Sequence, residues 1–101
     1  MDVYRPLPSY LTIKQSNING LGLFAVEPIK KSTNIGISHV ADRHFANGYI
    51  RTPLGGFINH STTPNCKPFY EGRLIAIITI TDIKAGDEIT LYYTMYNPSR
   101  T

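Results

Sequence analysis

The sequence predicts a mainly β protein, and three observations support this fold class. First, the apolar residues fall in short runs rich in β-branched side chains, and the longest of these, residues 74–80 (LIAIITI), predicts a strand buried on both faces. Second, glycine, proline and asparagine separate these runs at short intervals, as turns between strands require. Third, no segment carries apolar residues at helical spacing over more than a turn or two.

The first half of the chain follows this pattern element by element. Residues 11–14 (LTIK) alternate apolar and polar side chains like a half-buried strand, and residues 16–20 (SNING) supply a polar break after it. Residues 23–26 form a second apolar run, which Pro28 stops. Residues 38–45 are the one candidate for a short helix.

Two segments share a local design, namely residues 29–35 (IKKSTNI) and residues 83–89 (IKAGDEI). Each places polar turn formers between two isoleucines six positions apart. This arrangement predicts a tight reversal between strands in both segments. The similarity indicates that a turn is used twice, and it does not by itself establish a repeat fold.

The composition limits the classes of protein. A chain of 101 residues predicts one domain over residues 1–101, and 42% hydrophobic with 17% charged residues is typical of a globular protein. No apolar run approaches the roughly 20 residues of a membrane span, and the N-terminus lacks a signal-peptide pattern. We therefore expect a soluble intracellular protein without a membrane partner. The net charge of +3 comes from scattered lysines and arginines, which does not favour direct nucleic-acid binding.

The single cysteine, Cys66, cannot form an internal disulfide, which agrees with a reducing compartment. A zinc site built from His39, His44, His60 and Cys66 would not match the usual spacing of paired ligands, so no metal is predicted. A nucleophilic role for Cys66 is also disfavoured, because a thiol needs a positioned base and His60 lies in the same short loop.

Three clusters carry groups suited to binding or catalysis, and two of them lie in the first two thirds of the chain. Residues 19–25 (NGLGLFA) place two glycines around one apolar residue, which lets the backbone approach a ligand closely. On its own, the same pattern fits an ordinary turn into a strand. Residues 56–66 (GFINHSTTPNC) contain Asn59 and His60, whose donors and acceptors suit the edge of a purine and equally suit a structural turn.

The third cluster, residues 86–97 (GDEITLYYTMYN), predicts a strand near the C-terminus. In an extended strand, Ile89, Leu91 and Tyr93 share one face while Tyr92 points to the other. Tyr93 therefore follows the core-directed residues and can carry a hydroxyl to the wall of an internal pocket. A core tyrosine with a satisfied hydroxyl is the alternative.

In order and spacing, GLGLFA at 20–25, FINHSTTPNC at 57–66 and GDEITLYY at 86–93 resemble the three main motifs of the SET domain. The resemblance extends from about residue 11 to residue 96, and implies a minimal SET domain with no appended modules. It implies a β-clip-like fold of several small curved sheets, whose C-terminal segment is threaded under an earlier loop in a pseudoknot. Such a compact form suits a viral or bacterial protein, located in the cytoplasm or in the host cell.

The resemblance also implies a cofactor and roles for individual residues. The cofactor is S-adenosylmethionine, which leaves as S-adenosylhomocysteine, and no metal takes part. The cofactor-binding residues implied are Asn19, Gly20, Leu21, Gly22, Asn59, His60 and Tyr96. The implied catalytic residue is Tyr93, and Glu88 matches the acid that leads into its strand. The implied walls of a substrate channel are Tyr49, Phe57 and Tyr92.

The activity that the resemblance implies is protein-lysine N-methylation, in which the lysine of a protein or peptide partner enters through a narrow aromatic channel. Two departures from the family pattern leave other functions open. The segment between Gly22 and Phe57 is short, and the family usually builds one wall of the substrate groove there. Gly56 and Tyr92 stand where the family often has a basic and an acidic residue.

A missing wall has to be completed by a partner subunit or by the substrate, and a homodimer is one hypothesis that follows. The alternatives to an active enzyme are a SET-fold module that binds cofactor or peptide with weak or no turnover, and a purely structural β-clip protein. Binding of S-adenosylmethionine separates the structural protein from the other two.

Overall fold

A computed structural model describes residues 7–42 and 48–92 of the chain. In these two ranges the chain forms eight strands and one helix of a single turn. In chain order they are β1 (Leu11–Gln15), β2 (Leu21–Ala25), β3 (Asn34–Ala41), β4 (Tyr49–Arg51), α1 (Pro53–Gly56), β5 (Asn59–His60), β6 (Cys66–Glu71), β7 (Leu74–Thr79) and β8 (Thr90–Leu91). The prediction of a mainly β fold is confirmed.

The strands form three small sheets. Strands β1 and β2 make an antiparallel hairpin, and four antiparallel strands make a larger sheet in the order β4-β3-β7-β6. The third sheet is a parallel pair, in which Asn59 of β5 lies beside Thr90 of β8 and His60 beside Leu91. This pair brings the middle of the sequence against its C-terminal part. No described helix has the length and apolar character that crossing a bilayer requires.

The predicted strands are found with small shifts at their ends. The first predicted strand, residues 11–14, is β1, and the second begins two residues early, at Leu21. Residues 74–79 form β7, where Ile75, Ala76 and Ile77 are at most 2% exposed, so both faces are buried at the strand centre.

The helix predicted for residues 38–45 is wrong as far as it is described, because residues 38–41 belong to β3. Strand β3 pairs with β4 on one side and β7 on the other, and this tertiary pairing outweighs a weak local preference. The described helix is α1 instead. The Thr52 side chain caps it by accepting a hydrogen bond from the Gly55 amide at 3.2 Å, and Pro53 occupies its first turn.

The two segments of shared design form equivalent turns that face each other. Ile29 and Ile83 pair in an antiparallel bridge, with N···O distances of 2.8 and 2.7 Å. The Ser32 amide then donates to the Thr79 carbonyl at 2.8 Å, while the Gly86 amide donates to the Ala25 carbonyl at 2.7 Å. The first turn is therefore hydrogen-bonded to β7, which precedes the second turn, and the second turn is hydrogen-bonded to β2, which precedes the first. The predicted reversals are confirmed.

The equivalence of the two turns makes Ser32→Gly a stabilising change. Ser32 has a φ of 66°, and its counterpart Gly86 has a φ of 92°. A left-handed residue with a Cβ costs about 1–2 kcal/mol, of which the extra unfolded-state entropy of glycine offsets about 0.5–1 kcal/mol. We expect urea unfolding to show a gain of about 0.5–1 kcal/mol for Ser32→Gly. Lys31→Gly, beside it in the same turn, should lose stability, and a Ser32→Gly protein no more stable than Lys31→Gly would contradict this account.

The hydrophobic core lies between the sheets and includes residues from all three. Leu23 of β2, Ile77 of β7 and Leu91 of β8 are completely buried. Ile89, just before β8, is also 0% exposed, so the predicted core-directed face of this strand is confirmed for Ile89 and Leu91. Tyr93, the third residue predicted for that face, lies outside the described residues.

Candidate functional site

The first part of the candidate site is the glycine turn, residues 19–22, which ends the connection from β1 and includes the first two residues of β2. The Ser16 amide donates to the Gly20 carbonyl at 2.8 Å, and the Ser16 hydroxyl accepts from the Ile18 amide at 2.9 Å. These bonds fix the turn from its N-terminal side. On its outer side a Cβ added at Gly20 would meet no atom within 4 Å, and Leu21 is 53% exposed. The turn therefore presents backbone groups to open space.

Asn59 joins the glycine turn to the middle of the chain. Its side-chain amide donates to the carbonyls of Asn19 and Leu21, both at 3.2 Å, and to the Glu88 carboxylate at 2.8 Å. Because all three neighbours are hydrogen-bond acceptors, the NH₂ end of the Asn59 amide faces the turn, and the oxygen end points away from it. Since the group has only two hydrogens, they are shared among these three acceptors. The amide nitrogen thus serves the protein's own structure.

Glu88 connects all three sequence clusters. Its carboxylate accepts from the Ser16 hydroxyl at 2.8 and 2.9 Å and from the Asn59 amide. It also lies against the backbone of Gly22, where an added Cβ would stand 2.3 Å from Glu88 Oε2. Only glycine at position 22 leaves room for this carboxylate. One acidic side chain therefore holds the glycine turn, the Asn59 strand and the start of β8 together.

Asn65 fastens the loop after β5 to the last described strand. Its side-chain amide donates to the Glu88 carbonyl at 2.7 Å, and its side-chain oxygen accepts from the Thr90 amide at 2.9 Å. The side chain thereby pairs with the backbone of this strand as a neighbouring strand would. Asn65 therefore shapes the loop that follows β5.

His60 and Tyr92 lie next to each other at the end of the parallel pair. Their ring centroids are 5.4 Å apart with an interplanar angle of 38°. Tyr92 also lines a cleft of about 130 Å³ with Pro64, Cys66, Lys67, Pro68 and Ile80. The cleft is mostly apolar and adjoins the loop that follows His60.

The other predicted aromatic residues have different surroundings. Tyr49 stands edge-on to His39, with ring centroids 6.0 Å apart, and Phe57 follows α1 and packs against the core. In the part of the chain that the structure describes, no ring contact joins Tyr49, Phe57 and Tyr92 into one group. Tyr93 and Tyr96 lie outside the described residues.

Two buried groups have shifted pKa values. Burial raises the pKa of the Cys66 thiol to about 12, so this side chain stays protonated and is unsuited to nucleophilic attack. Burial, with a smaller effect of the nearby Arg51 charge, lowers the pKa of His39 to about 4, so its ring is neutral at pH 7. Among residues 7–42 and 48–92, no three His, Cys, Asp or Glu side chains lie together as a metal site.

Ser16 was missed by sequence reasoning, and the contact of Glu88 with the other two clusters was not predicted. The string SNING indicated a turn correctly, and a serine at its start is typical of a hydroxyl that accepts from backbone amides two and three residues later. The bond from Ser16 to Glu88 spans 72 positions, and no local pattern reports a contact of that range.

Comparison with known proteins identifies similarities in both sequence and fold. The SET-domain family model matches residues 37–94, a range that contains Asn59, His60 and Glu88 and begins after the glycine turn. A search of curated protein sequences found no significant match.

The solved structures with a similar fold include the following three. A Plasmodium falciparum protein assigned as a histone methyltransferase has 24% identity and a TM-score of 0.69, over 86% of this chain and 95% of its own. The methyltransferase domain of human PR domain-containing protein 2 has 20% identity and a TM-score of 0.70, over 85% and 78%. The SET domain of the RIZ1 tumor suppressor has 19% identity and a TM-score of 0.70, over 93% and 76%.

Proposed function

Since the chain belongs to the SET-domain family, we propose that it is an S-adenosylmethionine-dependent protein-lysine N-methyltransferase. The observation that carries the proposal is the network at Glu88, which joins the glycine turn to Asn59 through side-chain hydrogen bonds. The same residue types in the same order are those that the family uses to bind its cofactor. Two proteins of similar fold are described as methyltransferases, which agrees with this activity class.

The described residues fit a cofactor with both polar and charged groups. We assign the backbone of Asn19, Gly20, Leu21 and Gly22 to cofactor binding, since backbone groups can donate and accept hydrogen bonds. The backbone at Gly20 borders open space, while the buried Gly22 packs against Glu88. Because the Asn59 NH₂ is used by the turn and by Glu88, we assign Asn59 the task of holding the turn in its binding geometry. His60 completes the binding surface, and Tyr96 is assigned to cover the adenine.

The proposed reaction needs neither a metal nor a protein nucleophile. S-adenosylmethionine would supply a methyl group on a positively charged sulfur. The lysine nitrogen would attack the methyl carbon in line, and the carbon–sulfur bond would break to release S-adenosylhomocysteine. The nitrogen must be neutral, although a free lysine has a pKa of about 10.4. Removal from water and a nearby positive charge both lower that pKa, and the released proton goes to solvent.

The protein's part in this reaction is to position the amine and exclude water. We assign Tyr93 to orient the amine through its hydroxyl, and holding the reactants at near-attack distance is a large part of such catalysis. Tyr49, Phe57 and Tyr92 are assigned to the channel walls, since aromatic faces attract ammonium and sulfonium groups.

Asn59→Ala tests the role of Asn59 in holding the turn. Loss of its hydrogen bonds to the Asn19 and Leu21 carbonyls should loosen the cofactor surface and weaken S-adenosylmethionine binding about three- to tenfold by calorimetry. Asn17→Ala, an exposed asparagine in the same polar segment, is the matched control and should bind like the wild type. Equal affinities for the two variants would reject the role of Asn59.

Methyl transfer to lysine is the direct test of the proposed activity. The protein is incubated with S-adenosylmethionine carrying a radiolabelled methyl group and a protein extract, and the hydrolysed products are examined for methyl-lysine. An extract with chemically acetylated lysines is the control and should take up no label. Saturable cofactor binding without methyl-lysine would favour the non-catalytic SET-fold module, for which the short segment between Gly22 and Phe57 is the supporting observation.

A further inference from the structure

The four-stranded sheet has one apolar face that points away from the core. In antiparallel pairs, directly opposite residues share a face, so the register of this sheet defines which side chains lie together. The apolar members of this outer face are Ile37, Val40, Ile50, Phe69, Leu74, Ala76 and Ile78, and Asn34 lies beside Ile78 on it. All four strands contribute to it.

The outer face carries exposed apolar side chains around Ala76, which lies at its centre and is 2% exposed. The opposite face is buried except at its edge, where Tyr70 is 55% exposed. Phe69 is 49% exposed, and Ile50 and Leu74 are each 37% exposed. On the opposite face, Ile77 and Cys66 are at most 1% exposed. Contiguous apolar surface of this kind on a folded protein marks an interaction site more often than scattered single residues do.

Two charged residues flank Phe69 symmetrically on the edge strand β6. Lys67 and Glu71 share the outer face with Phe69, and each lies two residues from it, which is about 7 Å along a strand. The row Ile37, Ala76 and Phe69 crosses the sheet through its middle. A second copy can be placed on this face by a two-fold rotation axis that lies between the two sheets and runs parallel to this row. The strands of the second copy then run in the opposite direction.

That axis would make the outer face complementary to itself. It would place Phe69 against Phe69 of the second copy, and Lys67 against Glu71 at both ends of β6. An isologous interface requires such self-complementarity, since the same patch serves both subunits. We propose that the outer face is the interface of a homodimer with Lys67 and Glu71 paired between the copies. This inference does not depend on the methyltransferase activity.

The size of the face sets the expected strength of the dimer. The four strands lie about 4.8 Å apart, and the face extends over about 14 Å of each strand. The area of this patch is well below the roughly 800 Å² that each partner buries in a standard interface. We therefore expect a weak dimer, with a Kd on the order of 10 to 100 µM.

A charge swap tests the arrangement with the full chain. Sedimentation velocity over about 1 to 500 µM should show wild-type dimer formation that depends on concentration. Lys67→Glu or Glu71→Lys alone places like charges opposite each other and should weaken the dimer at least about fivefold. The double variant K67E/E71K should restore it. Since Lys67 and Glu71 lie about 14 Å apart along their own strand, restoration would report a contact between copies.

Val26→Glu is the control for adding a charge at an exposed apolar residue, because Val26 is 48% exposed and lies off the sheet. It should dimerise like the wild type, and unfolding curves check that every variant is folded. A wild type that stays monomeric over the whole range would overturn the proposal, even if another protein bound the face. Single variants that dimerise normally, or a double variant that is not restored, would overturn it as well.

Discussion

Replacing Gly22 by alanine is expected to destabilise the protein by about 2–4 kcal/mol in urea unfolding. The new Cβ would stand 2.3 Å from Glu88 Oε2 and 3.0 Å from Ser16 Cβ. Glu88 would have to swing away, and its hydrogen bonds to Ser16 and Asn59 would be lost. The same displacement should weaken binding of S-adenosylmethionine, because the glycine turn would lose two of its supports.

A double-mutant cycle identifies the cause of this loss. In a Glu88→Ala background the obstructing carboxylate is absent, so Gly22→Ala should cost less than about 1 kcal/mol there. Gly56→Ala is the control, since its Cβ would make an ordinary 3.6 Å contact with Arg51 Cδ. Equal costs of Gly22→Ala in both backgrounds would contradict the packing of Glu88 on Gly22.

Tyr93→Phe is expected to reduce methyl transfer at least about tenfold, which corresponds to about 1.4 kcal/mol of transition-state stabilisation. The change removes one hydroxyl and almost no volume, so cofactor affinity should stay near that of the wild type. The expected pattern is therefore a lower kcat with an unchanged Kd for S-adenosylmethionine. This pattern would identify an interaction made mainly in the transition state.

The control for this variant is Tyr70→Phe, because Tyr70 is 55% exposed on β6 and has no assigned role in the reaction. Its rate should match the wild type. An unchanged rate for Tyr93→Phe would reject Tyr93 as the catalytic tyrosine, while a loss of cofactor affinity would indicate a binding role in its place.

The parts of the fold that follow from local patterns could be predicted from the sequence. The β-branched run of β7 and the turns pinned by Ile29 and Ile83 depend on neighbouring residues, and both were found. The segment of residues 38–41 was assigned wrongly, because its strand character comes from hydrogen bonds to β4 and β7. Tertiary pairing of this kind leaves little trace in the segment itself.

In the candidate site, too, the positions of the motifs could be predicted from the sequence, while the contacts between them could not. The order of the three clusters pointed to the glycine turn and to Asn59, and the structure brings these together. The resemblance implies cofactor binding by Asn59, which stays a prediction, and the structure shows that its amide nitrogen also holds the turn and Glu88. A hydrogen-bond inventory states what a side chain can bind, and only the fold decides which partners reach it.

The most direct test of the account is a titration of the ¹⁵N-labelled protein with S-adenosylhomocysteine, followed by NMR. We predict saturable shifts of the amide signals of Asn19, Gly20, Leu21, Gly22, Asn59 and His60. The amide of Phe69 on the outer face should not shift with them. Absence of saturable shifts at the glycine turn and Asn59, or saturable shifts confined to another surface, would contradict the proposed cofactor site.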